Sequence, residues 1–157
     1  MEIVKNFLLN LGFSLLGYLA VIIFSFLVIG LMSHYNVPFG EVSPTPIWVR
    51  IILWVHVIMT ISFLFFIGKK LKLLGSQWLN YLSVFGITVI VFVLSYVFPY
   101  FGGFVSWPFS RLTLLLGRIV SYNIYIGITI FAFLPSIIIW LGMLFQTKKC
   151  RCLLLFL

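Results

Sequence analysis

Four long apolar stretches alternate with short polar or basic connections along the chain. The stretches cover residues 7–32, 47–67, 79–98 and 119–145. A helix needs about 20 mostly apolar residues to cross a hydrocarbon core about 30 Å thick, because every backbone N–H and C=O in lipid requires an internal partner. The pattern therefore predicts an all-α integral membrane protein, a four-helix bundle of two helical hairpins that forms one transmembrane domain over residues 1–157.

The three connections between these stretches differ in composition. Residues 33–46 are rich in proline and other residues that end helices, and the second connection is short and basic. The third, residues 99–118, stays apolar although Gly102 and Gly103 interrupt it. There we predict a short interfacial or re-entrant helix over about 107–116. The alternative is an N-terminal extension of the fourth helix.

The overall composition excludes a water-soluble fold. Hydrophobic residues make up 64% of the 157 residues, and the mean hydropathy is +1.28. Soluble domains contain roughly 45–50% apolar residues. A water-soluble domain of this length has too small an interior to bury so many apolar side chains.

The basic residues predict the orientation of the spans, because Lys and Arg concentrate in short cytoplasmic segments. One side holds Lys5, Lys69, Lys70, Lys72, Lys148, Lys149 and Arg151, and the other holds Arg50, Arg111 and Arg118. We therefore predict that both termini are cytoplasmic, and the richness in Ile, Phe, Leu and Tyr favours a bacterial cytoplasmic membrane. Because the basic residues flank apolar runs, the net charge of +8 predicts contact with anionic lipids and not with nucleic acid.

His56 and Thr60 are the most informative polar residues within the predicted spans. They lie four residues apart, so they share one helix face. An ionisable residue at membrane depth is a candidate for function, and histidine changes charge near neutral pH. One interpretation is a proton-binding or ligand-binding role. The other, which the sequence favours because the predicted spans contain no second histidine and no acid, is a neutral histidine bonded to a hydroxyl or carbonyl on a neighbouring helix.

Three arginines, Arg50, Arg111 and Arg118, lie on the predicted outer side. A guanidinium binds phosphate or carboxylate groups through paired hydrogen bonds, which makes these residues candidates for binding an anionic ligand. The alternative, which we favour, is that each arginine separately extends its charged end to the membrane interface.

The chain offers few groups for catalysis or metal binding. Glu2 and Glu41 are the only acids, and no nucleophile or set of metal ligands accompanies them. Cys150 and Cys152 leave acylation and soft-metal binding open as alternatives to a tail resting on the inner leaflet, but a complete metal site needs further ligands. We predict no enzyme activity, no cofactor and no metal site.

These features predict a small multi-pass membrane protein with a non-enzymatic accessory, regulatory or protective role, exerted through a membrane-protein partner. The alternative is a subunit of an oligomeric transporter or channel for a small anionic or lipid-like substrate. In that alternative His56 faces a cavity and the outer arginines attract the substrate. Four helices leave little room for a pathway, so the alternative requires a homo-oligomer. A membrane enzyme acting on lipid ranks third.

Overall fold

The computed structural model describes residues 2–34, 46–97 and 124–154, and the regular structure in these ranges is helical. The four helices are α1 (Glu2–His34), α2 (Ile47–Lys70), α3 (Gln77–Val97) and α4 (Ile124–Leu154). No strand occurs within these ranges. The predicted all-α class is therefore confirmed.

Three helices are long and apolar enough to cross a membrane. The qualifying segments are Glu2–His34, Ile47–Lys70 and Gln77–Leu94. The shortest has 18 residues, which at a rise of 1.5 Å per residue corresponds to about 27 Å, close to the thickness of a hydrocarbon core. In α4, the apolar segment whose side chains are described is the shorter Ala132–Gln146.

The helices extend past the apolar stretches that predicted them. The end of α2 is the clearest case, because the helix continues past residue 67 and carries Lys69 and Lys70 in its last turn. Lysines suit a helix C-terminus, where the last carbonyl groups carry partial negative charge. The Leu71 N–H then donates to the Gly68 carbonyl at 3.3 Å and closes the helix. Hydropathy thus locates the end of the apolar run but not the end of the helical backbone.

Other sequence predictions fall partly or wholly outside the described residues. The predicted outer loop over 33–46 is described only at its two ends, and the predicted helix over 107–116 is outside. The same holds for residues 119–123, the start of the predicted fourth span. From Ile124 onward α4 is helical, and it runs to Leu154, past the predicted end at residue 145.

Both α1 and α4 pack mainly against α2 and α3. All four helices contribute side chains to one buried apolar core, which includes Tyr18, Val21, Leu64, Val84, Ile87, Val91, Ala132, Ile139 and Met143. A second, smaller cluster of Met32 and Val49 joins the end of α1 to the start of α2. Helices α1 and α2 are therefore in contact both in the core and where the end of α1 lies beside the start of α2.

Two amide side chains tie the helices together beside the α2–α3 connection. The Asn10 amide donates to the Lys72 carbonyl at 2.7 Å, and its oxygen accepts the Lys72 N–H at 3.0 Å. From α4, Gln146 Nε2 donates to the carbonyls of Gly68 at 3.1 Å and Leu71 at 3.3 Å. These bonds place the first part of α1 and the last part of α4 beside the end of α2. Because the end of α1 meets the start of α2 elsewhere, α1 and α2 run in opposite directions.

The connection between α2 and α3, residues 71–76, is closed by Asn80. Its side-chain oxygen accepts the Leu74 N–H at 2.7 Å, and its own N–H donates to the Ser76 carbonyl at 3.0 Å. Gly75 has a φ of +81°, a left-handed conformation that other residues adopt with strain. The short hairpin connection predicted here is thus held by specific hydrogen bonds.

The backbones of α2 and α4 cross at Gly68 and Gly142. A Cβ atom built on Gly68 would overlap the carbonyl oxygen of Ile139 and lie 3.0 Å from the Gly142 Cα. A Cβ atom on Gly142 would in turn overlap the carbonyl oxygen of Phe65. Only glycine fits at both positions, as is common where small residues let helices approach closely in membranes.

The exposed surface of the helices is more apolar than that of soluble proteins, and several polar side chains are buried with the apolar core. Large apolar residues such as Phe13, Leu16, Leu27 and Ile58 are at least 60% exposed. The buried side chains include a set of polar ones, namely Asn10, Ser14, Ser25, His56, Thr60, Asn80, Ser83, Thr88 and Ser136. Apolar surroundings favour such burial, because polar groups there find partners only on neighbouring segments. The apolar helices are therefore compatible with membrane residence.

Candidate functional site around His56

His56 lies near the middle of α2, on the face that packs against α1. Thr60 follows four residues later on the same face, and both side chains are at most 3% exposed. On α1, a buried stripe with a spacing of three or four residues includes Tyr18, Val21 and Ser25. The helical period thus brings Ser25 to His56.

The hydrogen bonds of Ser25 determine which atom carries the proton in its contact with His56. The Ser25 hydroxyl donates to the Val21 carbonyl at 2.8 Å, and its oxygen lies 3.2 Å from His56 Nε2. A carbonyl oxygen only accepts, and a hydroxyl has a single proton to donate. The His56 Nε2–H is therefore the donor to Ser25.

We expect nitrogen NMR of the protein in nanodiscs to show a proton on Nε2 of His56, because protonated and unprotonated ring nitrogens differ in chemical shift. A His34→Gln variant assigns the signal, since His34 and His56 are the two histidines. A ring protonated only at Nδ1 would contradict the prediction, because Ser25 would then be the donor to His56. A Ser25→Ala variant, which lacks the acceptor, is expected to alter the Nε2 signal.

The direction of this bond also limits the chemistry of the pair. Activation of a serine nucleophile requires that the histidine accept the hydroxyl proton. Here the proton of Ser25 is directed to the backbone of its own helix, and the histidine donates. The geometry is that of a structural hydrogen bond between two helices.

Phe24 covers one face of the His56 ring. The two ring centroids are 5.4 Å apart and the planes differ by 16°, which is a stacked arrangement. Phe24 and Ser25 are consecutive in α1, so one residue stacks on the imidazole while the next bonds to its edge. Together with Thr60, these residues form what we call the His56 cluster (Phe24, Ser25, His56 and Thr60).

Next to this cluster lies a groove of about 250 Å³ between α1 and α2. We call it the α1–α2 groove, and its lining consists of Ala20, Val21, Phe24, Met59, Thr60 and Phe63. The Thr60 hydroxyl is buried, and the structure gives it no hydrogen-bond partner. Apart from this hydroxyl, the side chains of the lining are apolar.

Among the described residues, three of the predicted binding residues can be located, and they do not share one site. His56 and Thr60 share a buried face, but Arg50 lies in the first turn of α2 with an exposed side chain. Arg111 and Arg118 lie outside the described residues. An anion site built from the three arginines therefore stays a prediction, separate from the His56 cluster.

The other buried hydroxyls bond between or within helices. The Ser136 hydroxyl on α4 donates to the Val84 carbonyl at 3.1 Å, so the Thr88 hydroxyl donates to Ser136, at 2.7 Å. The Ser83 hydroxyl donates to the Asn80 carbonyl at 2.8 Å. Within the described ranges no group of three or more His, Cys, Asp or Glu residues could hold a metal ion.

The sequence favours a hydroxyl or carbonyl on a neighbouring helix as the partner of His56, but it does not mark two features of this region. The sequence does not distinguish Phe24, because phenylalanine is common in apolar spans. The spacing of three or four residues between Tyr18, Val21 and Ser25 is the signal that could have pointed to this part of α1. The α1–α2 groove follows from the shapes of two helices, which no spacing in one segment records.

Comparison of the chain with protein-family models, with curated proteins and with solved structures finds no match.

Proposed function

We propose that this chain spans a membrane four times, with α4 as the fourth span, and that it acts as a non-enzymatic accessory or regulatory protein through a membrane-protein partner. Both termini are cytoplasmic in this proposal, in a bacterial cytoplasmic membrane. The 31 residues of α4 and its packing against α2 and α3 support the fourth span.

The observation that carries the proposal is how the buried polar side chains are used. His56 bonds to Ser25, Thr88 to Ser136, and Asn10 to the backbone of Lys72. These bonds join segments of the same chain, while the exterior of the helices is apolar. A chain that pairs most of its described buried polar side chains internally and presents apolar helix faces is suited to bind other helices in the bilayer.

The lysines at the 71–76 connection support contact with the membrane surface. The ammonium groups of Lys69 and Lys70 lie 5.0 Å and 5.3 Å from the ring centroids of Phe65 and Phe66. Each ammonium group therefore lies over an aromatic ring of the residue four positions earlier in α2. Trp78, 66% exposed at the start of α3, suits the interfacial level. Anionic lipid head groups are the expected partners of these charges.

The alternative function is a subunit of an oligomeric transporter or channel. The one observation in its favour is that the Thr60 hydroxyl, beside His56 and far from both ends of α2, has no partner. A pathway through this region would need a second protomer, so the alternative predicts a homo-oligomer.

The deciding experiment is affinity purification of the tagged chain from native membranes in mild detergent, followed by native mass spectrometry. We expect one membrane protein to co-purify at fixed stoichiometry. A homo-oligomer without another protein would favour the transporter alternative. A monomer that never retains a partner would contradict both functions.

A tryptophan scan of the exposed helix faces provides the controls. Tryptophan replaces Leu16, Ile23 or Leu27 on α1, and Val89 or Val93 on α3, all of which are exposed. We expect the variants of one face to lose the partner and those of the other face to retain it, with unchanged melting temperatures. Equal capture by every variant would show that the tested faces do not bind the partner.

Orientation has its own test. A fluorescent protein that matures only in the cytoplasm is expected to be bright when fused to the C-terminus, because the basic residues of that end and of the 71–76 connection favour the cytoplasm. Replacement of Lys69, Lys70 and Lys72 with glutamine is expected to reduce the bright fraction. A dark fusion from the unaltered chain would reverse the proposed orientation.

A further inference from the structure

The α1–α2 groove combines an apolar wall with one unused polar group. Thr60 lines the groove and is 2% exposed, and its hydroxyl has no hydrogen-bond partner among the residues that the structure describes. A buried hydroxyl without a partner is unfavourable, so a ligand that supplies an acceptor gains more here than at a solvated site. Threonine in a helix occupies two χ1 rotamers, and rotation between them turns the hydroxyl without moving the backbone.

The size of the groove limits the size of a ligand that it can hold. Its volume of about 250 Å³ corresponds to roughly eight water molecules in the liquid. The groove therefore has room for a small molecule beside the Thr60 side chain.

The lining and position of the groove define the chemistry of such a molecule. Among the described residues, no charged side chain contributes to the wall, so a charged ligand would lose its hydration without compensation from them. Phe24 and Phe63 offer aromatic faces to an apolar body. Thr60 lies about 20 Å from the start of α2 and about 15 Å from its end. In a spanning helix this is mid-bilayer depth, which only lipid-soluble molecules reach.

We propose that the α1–α2 groove binds an uncharged, lipid-soluble molecule with a carbonyl or hydroxyl oxygen that accepts a hydrogen bond from Thr60. The ring of Phe24 separates this ligand from His56, which stacks on it. Occupancy of the groove is thus coupled by direct contact to the His56 cluster. This proposal requires membrane residence but no protein partner.

The methionines of the chain report on occupancy. Met59 lines the groove, whereas Met32 and Met143 are buried in the two apolar clusters. The protein with carbon-labelled methionine methyl groups is placed in nanodiscs of phosphatidylcholine and phosphatidylglycerol. It is titrated with dibutyl ketone or with nonane, the matched alkane that lacks the oxygen. We expect a saturable shift of the Met59 signal alone, with nonane binding about 5–10-fold more weakly.

Thr60→Val tests the hydrogen bond, because it exchanges the hydroxyl for a methyl group of nearly the same size. We expect its affinity for dibutyl ketone to fall about 5–10-fold, to that of nonane, while nonane binding stays unchanged. Ile58→Val, on the exposed face of α2, is the matched control and leaves both affinities unchanged. Ala20→Leu fills the groove and removes both. If Ala20→Leu does not fold, the affinities of Thr60→Val still test the hydrogen bond.

Three results would overturn the proposal. Equal affinities for dibutyl ketone and nonane would show that the groove accepts lipid chains without recognising oxygen. A Met59 shift that does not saturate, or that persists in Ala20→Leu, would show that the probe only partitions into the bilayer, because the Met59 side chain is 53% exposed. A Thr60→Val variant that loses a protein partner, with no ketone binding by the unaltered chain, would mean that a partner side chain fills the groove. Partner capture is measured separately, so failure of either proposal is distinguishable from failure of the other.

Discussion

Replacement of Gly68 with alanine is expected to lower the free energy of unfolding by about 3 kcal/mol, the upper range for overpacking a tight contact. The added Cβ overlaps the carbonyl oxygen of Ile139 and lies 2.9 Å from its carbonyl carbon. These atoms belong to the backbone of α4, so no side-chain rotation relieves the overlap. α2 and α4 must separate, and the core residues between them lose contact.

The measurement is denaturant unfolding in mixed micelles, followed by circular dichroism. Gly142→Ala is expected to give a similar loss, since its Cβ overlaps the Phe65 carbonyl oxygen. The double variant should lose less than the sum, because one helix separation relieves both overlaps. Gly30→Ala is the matched control. It has open space around its Cβ, and we expect no loss of stability. Wild-type stability of the Gly68 variant would show that the two backbones are not in contact.

Removal of the Asn10 side chain by Asn10→Ala is expected to lower the free energy of unfolding by about 1–3 kcal/mol, as two hydrogen bonds are lost. The amide bonds both backbone groups of Lys72, so both lose their partner at once. Asn10 is also the most direct link between α1 and the α2–α3 connection. We therefore expect faster hydrogen exchange at the Lys72 amide in addition to the lower stability.

Leu9→Ala is the control for this variant. Leu9 is the neighbouring residue and is 40% exposed, so its truncation removes mainly contacts with lipid or detergent. We expect a change within about 0.5 kcal/mol, as for exposed substitutions in general. Equal losses for the two variants would mean that Asn10 stabilises the protein through helix packing alone. Unchanged exchange at Lys72 would lead to the same conclusion.

The helices and the type of hydrogen-bond partner of His56 could be predicted from the sequence for a simple physical reason. Helices in an apolar solvent satisfy their own backbone, so each apolar run predicts its helix without reference to the rest of the chain. A buried histidine in such a run needs a polar partner nearby. Ser25 was among the few hydroxyls available, and the structure places it 3.2 Å from His56.

The close crossing of α2 and α4 could not be predicted from the sequence. No two glycines in the chain have the spacing of a GxxxG motif, so neither Gly68 nor Gly142 is marked by its own segment. Their contact depends on how two helices far apart in sequence are placed. Periodicity within one helix shows which face is buried, but it does not show which neighbour covers that face.

The contacts of Asn10 and Gln146 escaped prediction for a related reason. Both side chains bond to main-chain groups, of Lys72 in one case and of Gly68 and Leu71 in the other. Every residue except proline offers such groups, so the partner's identity leaves no trace in the sequence. The α1–α2 groove is similar, because its shape arises from residues that are individually unremarkable.

Because Asn10 bonds to main-chain groups, the charge of the α2–α3 connection is independent of its attachment to α1. The Asn10 amide holds the peptide groups of Lys72 and makes no use of its ammonium. The charge of the α2–α3 connection can therefore change through evolution while the hydrogen bonds between Asn10 and the connection are preserved. In the proposed four-span arrangement, the insertion topology can then change while the tertiary structure is kept. A descendant with inverted topology would need new flanking charges but no new buried contacts.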